Sequence, residues 1–200
     1  MSATDTVELE SLKSRLKSTW MAGNYDYFSR FMESSAAEFL ARLPLGPGDH
    51  VLDVACGSCQ LALLAARSGE IIGMANWTKE GFIGHMLQTI GTFVVPSGMP
   101  SPLLWGDEAR VRERFANTVS NLQLTRVQYR FDYAFPPEGV VDFFRENYGP
   151  ANRAFAALSQ TDQVSLPKAL VELWSGANQS GTPGRTTVDA EYLEVVATRA

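Results

Sequence analysis

Hydrophobic positions recur along the chain with two periods, and together they lay out helices alternating with short strands. Leu9, Leu12, Leu16 and Trp20 repeat at helical spacing and predict an amphipathic helix over residues 9–21. Gly23-Asn24 breaks it. Tyr27, Phe28, Phe31, Met32, Phe39, Leu40 and Leu43 then form the apolar stripe of a second helix or helix pair over 25–43. A Pro- and Gly-rich stop at 44–48 leads into a short apolar run at 50–55, which predicts a buried strand. Residues 60–67 are rich in Ala and Leu and predict a helix, closed by Ser68-Gly69. Residues 70–75 predict a second short strand. Thr78 is placed to cap a helix over 79–92, and Asp107 to cap one running to about 116, with a loop at 96–102 between them. Residues 122–132 alternate as a strand with one slip in the period, through Leu122, Leu124, Val127, Tyr129 and Phe131. Helices at 138–147, 151–158 and 165–174, a loop at 178–186 and a last strand at 188–198 complete the pattern.

Four strands interleaved with about seven helices imply an α/β sheet in one domain spanning 1–200. Its parts are a helical lead-in at 1–48, a strand–helix–strand core at 49–77, and a helix-rich remainder at 78–200 with two strands. The net charge of −5 argues against a nucleic-acid binder, which would carry a basic face. The first ten residues carry Asp5, Glu8 and Glu10 and no apolar run, so no signal peptide is expected. No apolar stretch approaches the ~20 residues of a membrane span. The expected location is cytoplasmic, with a small molecule as substrate and neither membrane nor nucleic acid as partner.

The segment 50–67 carries the most chemistry. A strand ending in small residues and running straight into a helix gathers backbone N–H groups at the helix N-terminus. Open α/β sheets take their ligands outside the carboxyl ends of their strands. Gly57 offers a close approach to the backbone, and Asp53 is placed to orient the turn. Cys56-Gly57-Ser58-Cys59 also has the spacing of a redox C-x-x-C, although no thioredoxin-like strand pattern surrounds it. Two cysteines are too few to hold a metal, and His50 and His85 stand apart in sequence, so no metal is expected.

Val51-Leu52-Asp53-Val54-Ala55-Cys56-Gly57-Ser58 resembles the first motif of class I S-adenosylmethionine-dependent methyltransferases. Other blocks resemble the same family in order. Trp20-Met21-Ala22-Gly23-Asn24-Tyr25 looks like a lead-in helix, and Ala75-Asn76-Trp77-Thr78 with Glu80-Gly81-Phe82 looks like the end of the fifth strand and its helix. Pro102-Leu103-Leu104-Trp105-Gly106, Phe144-Arg145-Glu146-Asn147-Tyr148-Gly149-Pro150 and Glu191-Tyr192-Leu193-Glu194-Val195-Val196 fit the C-terminal part. The resemblance implies S-adenosylmethionine as cofactor, held by Asp53, Ala55, Cys56, Gly57 and Ser58. Asn76 and Trp77, at the carboxyl end of a strand beside that turn, and Phe82 after them are expected to face the acceptor, and Tyr25, Phe82, Phe143, Phe144 and Tyr148 are aromatic candidates for lining an apolar substrate pocket.

The chain departs from the family pattern twice. Cys59 stands where the family has a glycine. The first-strand helix is followed almost directly by Ile71-Ile72-Gly73-Met74-Ala75, so strands two to four, with the acidic residue for the ribose hydroxyls, are missing. The expected fold is a reduced Rossmann-like methyltransferase fold, a mostly parallel small sheet in family order 1-5-7-6 flanked by helices. The function it implies is methyl transfer to a small molecule. The alternative is a non-catalytic, methyltransferase-derived partner subunit or binding module that has lost the cofactor. The exposed edge of the first strand predicts a homodimer or hetero-oligomer, because an uncovered apolar edge invites pairing.

Overall fold

The computed structural model describes residues 3–20, 22–43, 71–94, 101–116 and 119–199. In chain order these residues form α1 (Ala3–Trp20), α2 (Tyr25–Ser29), a 3-10 turn (Arg30–Met32), α3 (Glu33–Arg42), β1 (Ile71–Trp77), α4 (Phe82–Gly91), a second 3-10 turn (Pro102–Trp105), α5 (Glu108–Phe115), β2 (Val119–Tyr133), α6 (Pro137–Asn147), α7 (Gly149–Ala156), α8 (Asp162–Ala177) and β3 (Thr186–Arg199). The predicted strand at 50–55 and helix at 60–67 lie outside the described residues.

The three strands form one sheet in the order β1-β3-β2. This is the order expected for the fifth, seventh and sixth strands. The expected mostly parallel pairing is not what these strands show: β3 runs antiparallel to both neighbours. The reason lies in the connections. The chain leaves the sheet at Tyr133 and re-enters at Thr186, and these two residues are paired in the register. An excursion that leaves and returns at one end of a sheet forces the returning strand to run backwards. The three helices of that excursion, α6, α7 and α8, all pack into the main core on one face of the sheet.

The slip in the alternation of β2 has a definite cause. Successive strand residues point to opposite faces. Leu122 and Leu124 face the side covered by Val111 and Phe115 of α5, joined there by Leu193, Val195 and Met74. Tyr129, Phe131 and Tyr133 face the other side and enter the main core with α4, α6 and α8. The register from Leu122 to Tyr133 is unbroken, and the one irregularity lies between Val119 and Asn121. The strand therefore exchanges its buried face midway without a bulge. Where the α5 side runs beyond its helix, it is lined by ion pairs: Arg130 with Asp189, and Arg185 with Asp132.

The helices bury the stripes that their spacing requires. Phe82, Ile83, Met86 and Ile90 of α4, Val140, Val141, Phe143 and Phe144 of α6, and Leu166, Leu170 and Trp174 of α8 are all buried. Asp107 caps α5 as expected, its carboxylate accepting the Arg110 N–H at 3.0 Å. Thr78 does not cap α4 directly. The helix begins at Phe82 with Gly81 as its N-cap, and the Thr78 hydroxyl accepts the Gly81 N–H at 3.1 Å.

Candidate functional site

The carboxyl end of β1 is the part of the expected site that the described residues contain. There the chain turns through Thr78, Lys79, Glu80 and Gly81 into α4. Thr78 is fully buried, and its hydroxyl donates to the Glu191 carboxylate of β3 at 3.0 Å. Glycines make this turn sterically possible. A Cβ on Gly84 would stand 2.3 Å from the carbonyl oxygens of Thr78 and Lys79, and one on Gly106 would stand 2.1 Å from the Trp77 carbonyl oxygen. The turn, α4 and the second 3-10 turn are thus pressed together at backbone distance.

Arg126 ties the same region together electrostatically. Its Nε donates to Glu108 and its terminal nitrogen to Glu191, both at 2.9 Å, while Glu80 approaches to 3.9 Å. Hydrogen bonds to Glu108 and then Glu191 raise the guanidinium further above its ordinary range. Gln128 donates to the second oxygen of Glu191 at 3.1 Å. The carboxylates at this end of β1 therefore share a cation instead of standing free.

The expected acceptor residues divide between the two faces of the sheet. Trp77 faces the main core, with ring centroids 5.9 Å from Tyr129, 5.7 Å from Phe131 and 6.2 Å from Tyr192. Phe82 joins that core against Trp174 at 4.4 Å, and Tyr148 joins it against Phe28 at 5.1 Å. Phe143 and Phe144 belong to the same cluster. Asn76 points to the opposite face, in register with Leu193, so it cannot line one pocket with Trp77. Tyr25 opens α2, and its side chain lies outside the described residues. Asp53, Ala55, Cys56, Gly57, Ser58 and Cys59 also lie outside them.

Among the described residues, three buried side-chain groups have no hydrogen-bond partner: Asn76 Nδ2, Tyr133 Oη and Trp174 Nε1. Each such group costs about 1–3 kcal/mol of desolvation that a partner would offset. By contrast, Tyr129 Oη donates to the Phe31 carbonyl at 2.8 Å, and burial pushes its pKa up to about 12. Burial drives the Tyr133 phenol higher still, so it stays protonated.

The sequence reading missed Tyr133, Trp174, Arg126 and the Arg42–Glu194 pair. Each leaves a signal in the sequence. Tyr133 continues the two-residue step of Val127, Tyr129 and Phe131. Trp174 continues the four-residue step of Leu166 and Leu170. Glu194 is a carboxylate inside the apolar run of a central strand. Among the described residues no group of His, Cys, Asp or Glu could hold a metal ion. No helix of these residues is long and apolar enough to cross a membrane.

No protein-family model matches the chain. It is 33% identical over 118 residues to an uncharacterized protein of Mycobacterium bovis, covering 57% of this chain and 43% of that protein. It is 38% identical over 114 residues to an uncharacterized protein of Mycobacterium tuberculosis, covering 54% and 40%. A shorter match, 40% identity over 63 residues, reaches a demethylmenaquinone methyltransferase of Symbiobacterium thermophilum and covers 27% of this chain and 25% of that enzyme. The chain spans less than half the length of these curated relatives.

Proposed function

We propose that the chain is a methyltransferase-like protein that uses S-adenosylmethionine and acts on a small, largely apolar aromatic molecule. The observation that carries this reading is the partial identity to a demethylmenaquinone methyltransferase, an enzyme named for a methyl acceptor. The residues proposed to hold the cofactor are Asp53, Ala55, Cys56, Gly57 and Ser58. When bound, that cofactor supplies an electrophilic methyl group. The described residues contribute the acceptor side. The β1–α4 turn is fixed by Thr78, Glu191 and Arg126. The ring cluster of Trp77, Tyr129, Phe131 and Tyr192 excludes water beside it. Catalysis on such a surface rests on proximity and orientation.

A second reading is that the chain is a non-catalytic binding module or partner subunit of methyltransferase descent. The hydrogen-bonded ion pairs of Glu108 and Glu191 with Arg126 favour it, because they give these carboxylates a role in holding the fold together. The exposed edge for which a second chain, most simply a copy of this one, is the proposed cover is that of the strand at 50–55, which lies outside the described residues. A monodisperse monomer in sedimentation velocity would count against that cover. Calorimetric titration with S-adenosylmethionine and S-adenosylhomocysteine separates the two readings. Saturable heat supports the transferase, and no heat with no thermal shift at millimolar ligand removes it.

A further inference from the structure

The sheet ends at β2, which has a strand neighbour on one side only among the described residues, β3. Two hydrogen bonds on β3 fix the direction of its open backbone groups. The Thr187 N–H donates to Asn178 Oδ1 at 2.9 Å, and the Thr187 carbonyl accepts the Gln179 N–H at 2.8 Å. Thr187 therefore uses both backbone groups away from β2, and its register partner Asp132 opens away from β3. The register is unbroken back to Asn121, so Leu122, Leu124, Arg126, Gln128 and Arg130 open outward as well.

The two halves of this edge differ. From Arg126 onward it carries Arg126, Arg130 and Asp132, charges of the kind that keep an edge strand from pairing. Residues 119–125 carry no charge, no Pro and no Gly. Asn121, Gln123 and Thr125 are exposed on the main-core side of this half, and Leu122 and Leu124 are half-buried against α5 on the other. A long open edge without such guards is a template for another strand. Leu43 and Ile71, which flank residues 44–70, both lie at β1, so that stretch joins the described chain on the far side of β3 from this edge.

We propose that Asn121–Thr125 pairs antiparallel with the same residues of a second copy about a two-fold axis at Gln123, joining two three-stranded sheets into one. A copy is the occupant because the segment complements itself. With Gln123 opposite its own counterpart, Leu122 stands opposite Leu124 of the partner subunit, and Asn121 opposite Thr125 of the partner subunit. The leucine pairs extend the apolar cluster at α5 across the axis, and the outward N–H and C=O groups of both leucines gain partners. Charge and backbone geometry exclude the neighbouring registers. An axis at Leu124 sets Leu122 against the partner's Arg126, an axis at Arg126 sets two guanidinium groups together, and an axis at Gln128 sets Arg126 against the partner's Arg130. An axis at Tyr129 would oppose Arg126 and the partner's Asp132, but both already hold ion pairs within the chain. An axis at Leu122 runs into the irregularity between Val119 and Asn121. This contact is separate from the cover proposed for the strand at 50–55, and it does not rest on the transferase reading.

Sedimentation velocity of the full chain, from about 1 to about 200 µM, tests the contact. A pairing this short buries far less than a standard interface, so half-dissociation is expected on the order of 10–100 µM. Gln123→Lys and Gln123→Glu each set like charges on the axis and should weaken the dimer about tenfold or more. An equimolar mixture of the two should recover the parent association, because Lys then faces Glu, and about 1 M salt should remove that recovery. A parent chain that stays monomeric over the whole range overturns the proposal. So does a Gln123→Lys chain that associates like the parent, which assigns the dimer to another surface such as the strand at 50–55. A mixture no better than either variant alone also overturns it. Should a lone charge at position 123 unfold the chain, two double variants carry the test. Asn121→Lys with Thr125→Glu faces Lys with Glu across the axis and should associate as the parent does, whereas Asn121→Lys with Thr125→Lys should not. Equal association of those two overturns the proposal.

Discussion

Arg42, the last residue of α3, donates from two nitrogens to a single oxygen of Glu194 on the central strand, at 2.7 and 3.0 Å. Glu194 is 7% exposed and faces the main core side of the sheet, with Ala75 and Thr125 as its register neighbours. The same guanidinium donates to Tyr192 Oη at 2.8 Å. This cluster fastens the helical lead-in to the sheet, and Phe39 and Leu43 pack against Gly73 beside it. Removing one partner of such a pair strands the other. Arg42→Ala should lower the unfolding free energy by about 2 kcal/mol, less than for a fully buried pair because the Arg42 side chain is 39% exposed. Arg42→Leu combined with Glu194→Leu should recover most of the loss, since both charges are then gone. Urea denaturation of the three proteins checks this, and a double variant no better than Arg42→Ala would refute it.

The glycines give a sharper steric prediction. Gly84→Ala and Gly106→Ala should each destabilise by about 3 kcal/mol, because the added methyl meets backbone atoms that cannot turn aside. Gly176→Ala, near the end of α8 with nothing within 4 Å, should stabilise by about 0.5 kcal/mol through helix propensity. Thermal melts of the three variants should separate in opposite directions. Similar losses at all three positions would show that the close packing around the β1–α4 turn carries no special weight.

Much of this architecture was legible because local period decides local structure. Phe82, Met86 and Ile90 betray α4, and Leu166, Leu170 and Trp174 betray α8, since one face of each must be apolar. Asp107 betrays the start of α5 through its cap. Strand direction was not legible. Tyr133 and Thr186 are 53 residues apart yet paired, and no local pattern says at which end of the sheet the chain returns. The split of Asn76 from Trp77 follows from alternation, but joining them in one site required ignoring it. The Arg126 cluster was hidden for another reason. Glu80, Glu108 and Glu191 lie on three elements, and only the tertiary fold brings them to one guanidinium.

Acid should reveal the charged half of the α5-side sheet face. The Arg185 guanidinium holds the Asp132 carboxyl below the usual carboxylate range, and Arg130 does the same for Asp189. A carboxyl whose pKa is depressed on folding binds fewer protons in the native state than in the unfolded one. Its contribution is present above the unfolded value of about 3.9 and is lost as pH falls through the lower folded value. The melting temperature should therefore be nearly flat from about pH 8 to 5 and fall below about pH 4. Asp132→Asn combined with Asp189→Asn should fall less steeply over that acid range. Both pairs are exposed, so 1 M salt should also narrow the difference. An unchanged acid slope in the double variant would assign the acid loss to other carboxylates.

Asn76 supplies a prediction that joins stability to function. Its Nδ2 is buried without a partner, in register with Leu193 and close to the carboxyl end of β1. A strand favours β-branched residues there, and valine carries no group that must be desolvated. Asn76→Val should therefore raise the unfolding free energy by about 1 kcal/mol. Residues that break a local rule at a cost in stability are expected where function requires them. If Asn76 serves a ligand, the gain in stability should accompany a loss of binding heat in the S-adenosylmethionine titration. A gain with unchanged binding heat removes Asn76 from the site. A fall in stability shows instead that the amide is held by a water inside the fold, and the orphaned nitrogen then has a structural reason to be there.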